Sequence, residues 1–414
     1  MSTPSGSARE LWHQFCDALR EAGDLLDAPG VPKDAQTQAE GLRYLSRMSR
    51  AALEWYVEFN DPAFPVLYRP AHETIKLGAD NPDNLYQKAV IDGRYDYRLV
   101  GNRGTVDYLS MATSRGSYAE NFTQIETGFL DGDALEVDPS GNFEVIISQQ
   151  QQAGNWLPMA EDSESLLIRQ TYRHRDREQA ASIRIERLDT GLAPQPLDLA
   201  TAAAHFDKAR SFFSNTTRLF SDWSHRIAAQ PNSLPLWDQA FCQSVGGDPN
   251  ILYYHGHFDL AADEAMVITL PRIPDCQTWN IQVDNFWMES LDYRYHPISL
   301  NQAQAAVNAD GSVTLVLSAS NPGCGNWLST AGHSQGTLCF RWVGAETPVD
   351  PTVTVVPTAS LAGTQPPPGS QHRCWNSSDC CWRAWRNPPP ITIETPVLLT
   401  HYPRWWTDST TKPS

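Results

Sequence analysis

The chain has 414 residues, 41% apolar and 19% charged, which is enough for two or three domains with real cores and too apolar for a disordered tract. Its 31 lysines and arginines stand against 48 aspartates and glutamates, a net charge of −17 that disfavours nucleic acid and anionic membranes as partners. No apolar run approaches the ~18 residues of a membrane helix, and the opening Met1-Ser2-Thr3-Pro4-Ser5 lacks the order of a secretion signal, so a soluble, cytoplasmic chain is expected.

Two amphipathic helices are predicted first. Leu11, Phe15, Ala18, Leu19, Ala22 and Leu26 recur at helical steps until Pro29-Gly30. A second helix starts at the N-cap Asp34, with Leu42, Leu45, Ala52, Leu53 and Tyr56 on its buried face. From about Ile91 the period becomes two, with strands at 95–100, 143–147, 165–170 and 181–186 between Gly-Asn and Asp-Gly turns. A third helix buries Phe206, Ala209, Phe213, Leu219, Phe220, Trp223 and Ile227, and strands resume from Ala265 to about Val356.

An internal repeat organises these elements. Gly141-Asn142-Phe143-Glu144-Val145-Ile146-Ile147-Ser148 precedes Gly154-Asn155-Trp156-Leu157 and then a strand carrying Arg169. Gly311-Ser312-Val313-Thr314-Leu315-Val316-Leu317-Ser318 precedes Gly325-Asn326-Trp327-Leu328 and a strand carrying Arg341. The predicted fold is α+β, mainly β: N-terminal helices, then two related antiparallel sandwich or jelly-roll-like halves joined by a helix. The expected segments are a helical 1–65, a β-domain 66–195, a connecting helix 196–235, a β-domain 236–360 and a Pro/Trp-rich tail 361–414. The tail carries Trp375, Trp382, Trp385, Trp405 and Trp406, and no functional role is assigned to it.

The stretch His72–Tyr86, with its Asn81-Pro82-Asp83-Asn84 block, resembles a bacterial family that carries the domain of unknown function twelve-fourteen. Ser290-Leu291-Asp292-Tyr293, Ser299-Leu300-Asn301, Asn326-Trp327-Leu328-Ser329-Thr330-Ala331-Gly332-His333 and Cys339-Phe340-Arg341-Trp342-Val343 fit the same group. The similarity spans about residues 40 to 356 and departs at Ser329, where relatives often carry Asp or Pro. What the resemblance implies is a jelly-roll-type β-structure with no agreed activity.

Candidate chemistry comes from several clusters, each with a structural alternative. Asp80–Tyr86 forms either a rigid turn around Pro82 or a turn that aims Asp83, Asn84 and Tyr86 into a cleft with His72, Glu73 and Lys76. His255-Gly256-His257 on a strand puts two imidazoles on one face, candidate metal ligands beside Asp259, Asp263 and Glu264, or ordinary packing beside Tyr253 and Tyr254. The repeated G-N-W-L blocks are structural on the simplest reading, whereas the loop after the second one makes His333 a candidate acid or base. Arg169 and Arg341 hold a buried carboxylate, such as Asp292, or clamp an anionic substrate. Read at strand period, Asp284–Tyr295 puts a carboxylate on each face beside apolar groups, which suits a pocket for a small organic ligand.

The five cysteines before residue 370 read as reduced core residues, and Cys374, Cys380 and Cys381 lack metal-site spacing. Dinucleotide, P-loop, nucleophile-elbow and zincin motifs are absent. The expectation is a cofactor-independent enzyme doing acid–base work, hydrolysis or elimination, on a small, partly apolar molecule. His72, Asp83, Tyr86 and His333 are its catalytic candidates, and Asn84, Trp287, Asp292, Tyr293 and Arg341 its substrate contacts. The alternative is a non-catalytic small-molecule or carbohydrate-binding protein; homo-oligomer formation is left open.

Overall fold

The helices begin where side chains can satisfy their first free N–H groups. Helix α1 (Ala8–Ala22) opens with a capping box in which Ser7 and Glu10 bond each other's backbone N–H. Asp34 accepts from Thr37 N–H to start α2 (Ala35–Leu53), as its sequence predicts. Asp198 accepts from Thr201 N–H at the head of α3 (Leu199–Ala228), and Asp238 from Phe241 N–H at that of the short α4 (Gln239–Ser244). The buried face of α2 agrees with the expected one at Ala52 and, partly buried, at Leu45, Leu53 and Tyr56, but it also takes in Tyr44, Met48 and Ala51 and leaves Leu42 64% exposed. Gly41 explains the difference, because a Cβ there would stand 2.7 Å from the Trp287 ring, so that side of the helix is the one that meets the body.

The first half contains β1 (Asn84–Val90), β2 (Tyr97–Asn102), β3 (Tyr108–Arg115), β4 (Ile125–Asp131), β5 (Asn142–Ser148), β6 (Trp156–Pro158), β7 (Ser165–Thr171) and β8 (Ser182–Arg187). The second contains β9 (Ile251–Asp259), β10 (Glu264–Leu270), β11 (Thr278–Asp284), β12 (Ser299–Asn301), β13 (Val313–Ser318), β14 (Trp327–Ser329), β15 (Gln335–Val343) and β16 (Thr352–Pro357). The computed structural model describes residues 6–120, 122–189 and 193–361 of the chain. Cys374, Cys380, Cys381 and the five tail tryptophans lie outside the described residues. No helix among the described residues is long and apolar enough to cross a membrane.

Strand order repeats without exception. Sheets β1-β7-β3-β4 and β6-β5-β2-β8 form the first half, and β9-β15-β11-β12 and β14-β13-β10-β16 the second. All neighbours are antiparallel except β5/β6 and β13/β14, the equivalent pairs at the G-N-W-L blocks. In each half the two sheets share one apolar core. Met111, Val145, Ile147 and Ile168 meet in the first, and Met266, Ile268, Trp279, Leu315 and Phe340 in the second.

The repeated block is structural, and its bonds match residue for residue. Asn155 donates to the Glu136 and Glu144 carbonyls and accepts from Glu136 N–H. Asn326 donates to the Ala306 and Thr314 carbonyls and accepts from Ala306 N–H. The Trp156 and Trp327 indole N–H groups donate to the Ser148 and Ser318 hydroxyls.

The central strands of one sheet in each half, β3 and β7 in the first and β11 and β15 in the second, are buried on both faces. In β15, Leu338, Phe340 and Trp342 enter the second core, while Arg341 faces the opposite half. In β7, Leu166 and Ile168 enter the first core, while Leu167 and Arg169 face away from it. The expected strand over 284–295 ends at Asp284. Asn285 there accepts from Trp287 and Glu289 N–H, and Met288 takes φ 54°, so the chain turns and the expected two-faced distribution of its carboxylates is lost.

Candidate functional site

Two loops of one design lead into β1 and β9. Asn81-Pro82-Asp83-Asn84-Leu85-Tyr86 and Asp248-Pro249-Asn250-Ile251-Leu252-Tyr253 share the pattern X-Pro-X-X-Leu-Tyr, with Asn and Asp exchanged. Proline fixes φ, and the preceding side chain accepts from the backbone N–H two residues on, at 3.0 Å in both copies. The tyrosine hydroxyl then closes the loop by accepting an N–H, from Asn81 to Tyr86 at 3.1 Å and from Asp248 to Tyr253 at 2.9 Å.

Each loop is held by the other half. In the ladders Tyr86 pairs with Arg169 and Tyr253 with Arg341, so each half presents one Tyr–Arg pair. Arg341 donates to the carbonyl of Ala79 in the first loop, and Arg169 donates to that of Gly246 in the second. The accepting residues occupy the same position and both have positive φ, 57° at Ala79 and 91° at Gly246. Asn280 donates to Asn81 Oδ1 at 2.6 Å, while Tyr108 and Ser110 donate to Asp248 Oδ2 at 3.1 Å.

The exchange of Asn81 for Asp248 makes the arginines unequal. Arg169 lies 3.6 Å from Asp248 Oδ2 in a buried ion pair. Arg341 donates to Gln282 Oε1 at 2.7 Å and to Ala79, and has no carboxylate within ion-pair distance among the described residues. Asp284 and Asp83 act on it from beyond that distance, so its guanidinium keeps its charge and has donors to offer an anion.

A cavity of about 160 Å³ lies between the two Tyr–Arg pairs. Its polar lining includes Arg169, Arg341, Tyr86, Tyr253, Lys88 and His255, and its apolar lining Trp55, Leu77, Phe220 and Trp223. An adjoining hollow of about 350 Å³ shares Gln124, Leu167 and Arg169 with it and adds Glu126. Lys88 and His255 each follow their loop's tyrosine by two residues and so occupy equivalent places. Burial pulls the Lys88 ammonium down to about 8, against an upward pull from Glu164 and with a further downward push from Arg169. Burial, with Arg341, holds His255 at about 3, so its ring is neutral. Four buried polar atoms on lining residues have no partner among the described residues: Trp55 Nε1, Trp223 Nε1, His255 Nδ1 and Asn84 Oδ1. In a native interior such atoms are satisfied by ordered water or by a polar occupant.

A family model described as "Protein of unknown function (DUF1214)" matches residues 257–347, a span that contains Arg341. An uncharacterized protein of Burkholderia cenocepacia, known from its crystal structure, is 50% identical, with a TM-score of 0.83, over 85% of this chain and 98% of that one. The chain belongs to the DUF1214 family. The VPA0106 protein of Vibrio parahaemolyticus aligns over 82% of this chain and 100% of its own at 11% identity, with a TM-score of 0.44. No curated protein matches the chain.

In this DUF1214 protein the residues singled out from sequence divide in two. Tyr86, Asn84, Arg341 and His255 line the cavity. Asp83 does not; its carboxyl sits 3.4 Å from Asn280 Nδ2, and burial raises its pKa. His72 turns Nδ1 toward Thr74 N–H at 3.3 Å, and burial and Arg69 hold it at about 4. His333 bonds Glu40 of α2 at 2.8 Å, as a clasp on the N-terminal helices. Trp287 is core: its indole N–H donates to the Thr37 carbonyl at 3.0 Å and its ring stacks on Tyr44. Asp292 pairs with Arg294 of its own turn at 2.8 Å, not with Arg341, and Tyr293 lies under the Lys76 ammonium. The expected catalytic set is therefore not assembled around this cavity.

His257 is tied by its backbone to the 231–233 segment, and no group of three metal-ligating side chains exists among the described residues. Lys88 and Tyr253 escaped the sequence reading. The signal that finds them is the second X-Pro-X-X-Leu-Tyr.

Proposed function

We propose that the chain binds a small, partly apolar organic acid between its halves and acts on it by proton transfer. The observation that carries this reading is the convergence of two equivalent Tyr–Arg pairs on one cavity, one arginine having no carboxylate within ion-pair distance among the described residues. Arg341 spends two of a guanidinium's five N–H donors on Gln282 and Ala79, leaving donors for an acid group. Trp55, Leu77, Phe220 and Trp223 supply the apolar wall. A cavity near 160 Å³ is in the range that accepts a benzene-sized molecule, which limits the ligand to a short carbon skeleton. Lys88, held at about 8, is poised to take or give a proton near neutral pH.

Non-catalytic capture is the second reading, favoured by the structural work both arginines already do on the opposite loops. Incubating the full chain with a metabolite extract and following the pool by mass spectrometry separates the two. Catalysis is supported by progressive loss of a small organic acid that stops in Lys88→Met. Stoichiometric retention of one unaltered acid would replace catalysis with capture. Neither loss nor retention of any acid would remove both.

A further inference from the structure

Lys88 occupies an unusual place. Its ammonium has no hydrogen bond or ion pair among the described residues, although it stands between the main cavity and a hollow of about 40 Å³ that contains Glu164. It shares a face of β1 with Tyr86, and Arg169 lies opposite Tyr86 on β7. Lys88 and Arg169 are thus diagonal neighbours, roughly 7–8 Å apart at the backbone, a span that two long side chains close onto one small molecule. At the equivalent place in the second half stands His255, an imidazole that burial keeps neutral. The duplicated site therefore carries its one primary amine on one side only.

We infer that Lys88 condenses with the carbonyl of a short 2-oxo acid whose carboxylate rests on the cavity arginines. This rests on the organic-acid reading of the cavity and names its substrate class. The neutral amine attacks the carbonyl carbon, forming a C–N bond, and one of its two N–H protons passes to the carbonyl oxygen to make a hydroxyl. That hydroxyl leaves as water with the second N–H proton, and the nitrogen lone pair closes the C=N bond, so one carbonyl and one amine give one imine and one water without redox change. A nearby cation and an apolar wall both favour the free amine such a reaction needs, and the downward shift to about 8 agrees. A carbonyl next to the acid group would sit beside the amine when the acid group meets a guanidinium.

Reductive trapping tests this on the full chain. The protein is incubated with pyruvate or 3-methyl-2-oxobutanoate and sodium cyanoborohydride near neutral pH, then digested and mapped by mass. The chain has five lysines, Lys33, Lys76, Lys88, Lys208 and Lys412, so assignment is direct. Lys76 is engaged by three hydrogen bonds. The expected result is a reduced adduct on Lys88 at least tenfold above that on any other lysine. It should be suppressed at least tenfold by excess 2-methylpropanoate and absent in Lys88→Arg. The competition arm needs no variant to fold. Labelling of Lys88 no greater than that of Lys33 or Lys208, while 2-methylpropanoate still binds by calorimetry, would overturn the imine and leave the cavity reading standing. Failure of both trapping and binding would overturn both.

Discussion

Asp248→Asn turns the second loop into a copy of the first, where Asn81 already fills the position. The cap should survive, because Asn81 shows that an amide oxygen accepts the N–H two residues on as well as a carboxylate does. What changes is the charge, together with the Oδ2 acceptor that Tyr108 and Ser110 use. Across 3.6 Å the Arg169–Asp248 attraction amounts to about 4–5 kcal/mol at an effective dielectric of ~20, partly offset by the cost of burying the carboxylate. The unliganded variant is therefore expected to lose about 1–3 kcal/mol of stability. For a bound anion the sign reverses. A carboxylate roughly 8 Å away repels it by about 2 kcal/mol at the same dielectric, and removing that repulsion should tighten binding about thirtyfold. Calorimetric titration with 2-methylpropanoate, paired with thermal denaturation with and without the acid, measures both effects. A folded variant whose affinity is unchanged or weaker would refute the reasoning, because it would mean that the anion does not sit in the field of Arg169.

Three further outcomes are expected. Asn326→Ala, which removes three hydrogen bonds at a buried position, should cost about 2–4 kcal/mol in denaturant unfolding, and more than Asn155→Ala at its less buried counterpart; equal, small costs would show that the repeated block is not a fastener. Although burial opposes the charge, the bond and charge of Glu40 raise His333 above the ordinary imidazole value. The protonated ring therefore stabilises the fold fully below about pH 6.5, and that contribution disappears as pH rises through the folded value. The stability gap between wild type and His333→Gln, about 1–3 kcal/mol near pH 6, should shrink toward pH 9, and a pH-independent gap would contradict the clasp. Lys88 is shifted the other way, so between about 8 and 10.5 the unfolded chain binds the extra proton and stability rises with pH. Lys88→Met should accordingly be more stable than wild type by about 3 kcal/mol at pH 7 and lose that advantage above pH ~10; a variant less stable at pH 7 would show that the ammonium is not under strain.

The duplication was legible because strand, turn and G-N-W-L block keep their order, and those blocks perform the same local bonding in both copies. Strand β1 was harder to read. Tyr86 and Lys88 look like a solvent face in period two, yet that face meets the other half and not water. The same effect made His255-Gly256-His257 resemble a ligand pair, although the strand is buried on both sides and only His255 reaches the cavity. Trp287 and His333 misled for another reason. Their partners, Thr37 and Glu40, lie 250 and 293 residues away in sequence, and no local pattern announces a helix docking on a turn at that distance. Arg341 was identified, but its work on Ala79 required the reciprocal loop exchange to be seen.

The most direct measurement is a calorimetric comparison of 2-methylpropanoate with its uncharged near-isostere 2-methylpropanamide, on the wild-type chain and on Arg341→Gln. One site per chain is expected, with the acid bound at least tenfold more tightly than the amide and most of that preference lost in the variant. An acid and amide that bind equally, or an acid preference untouched by Arg341→Gln, would contradict the assignment of this cavity to an organic acid.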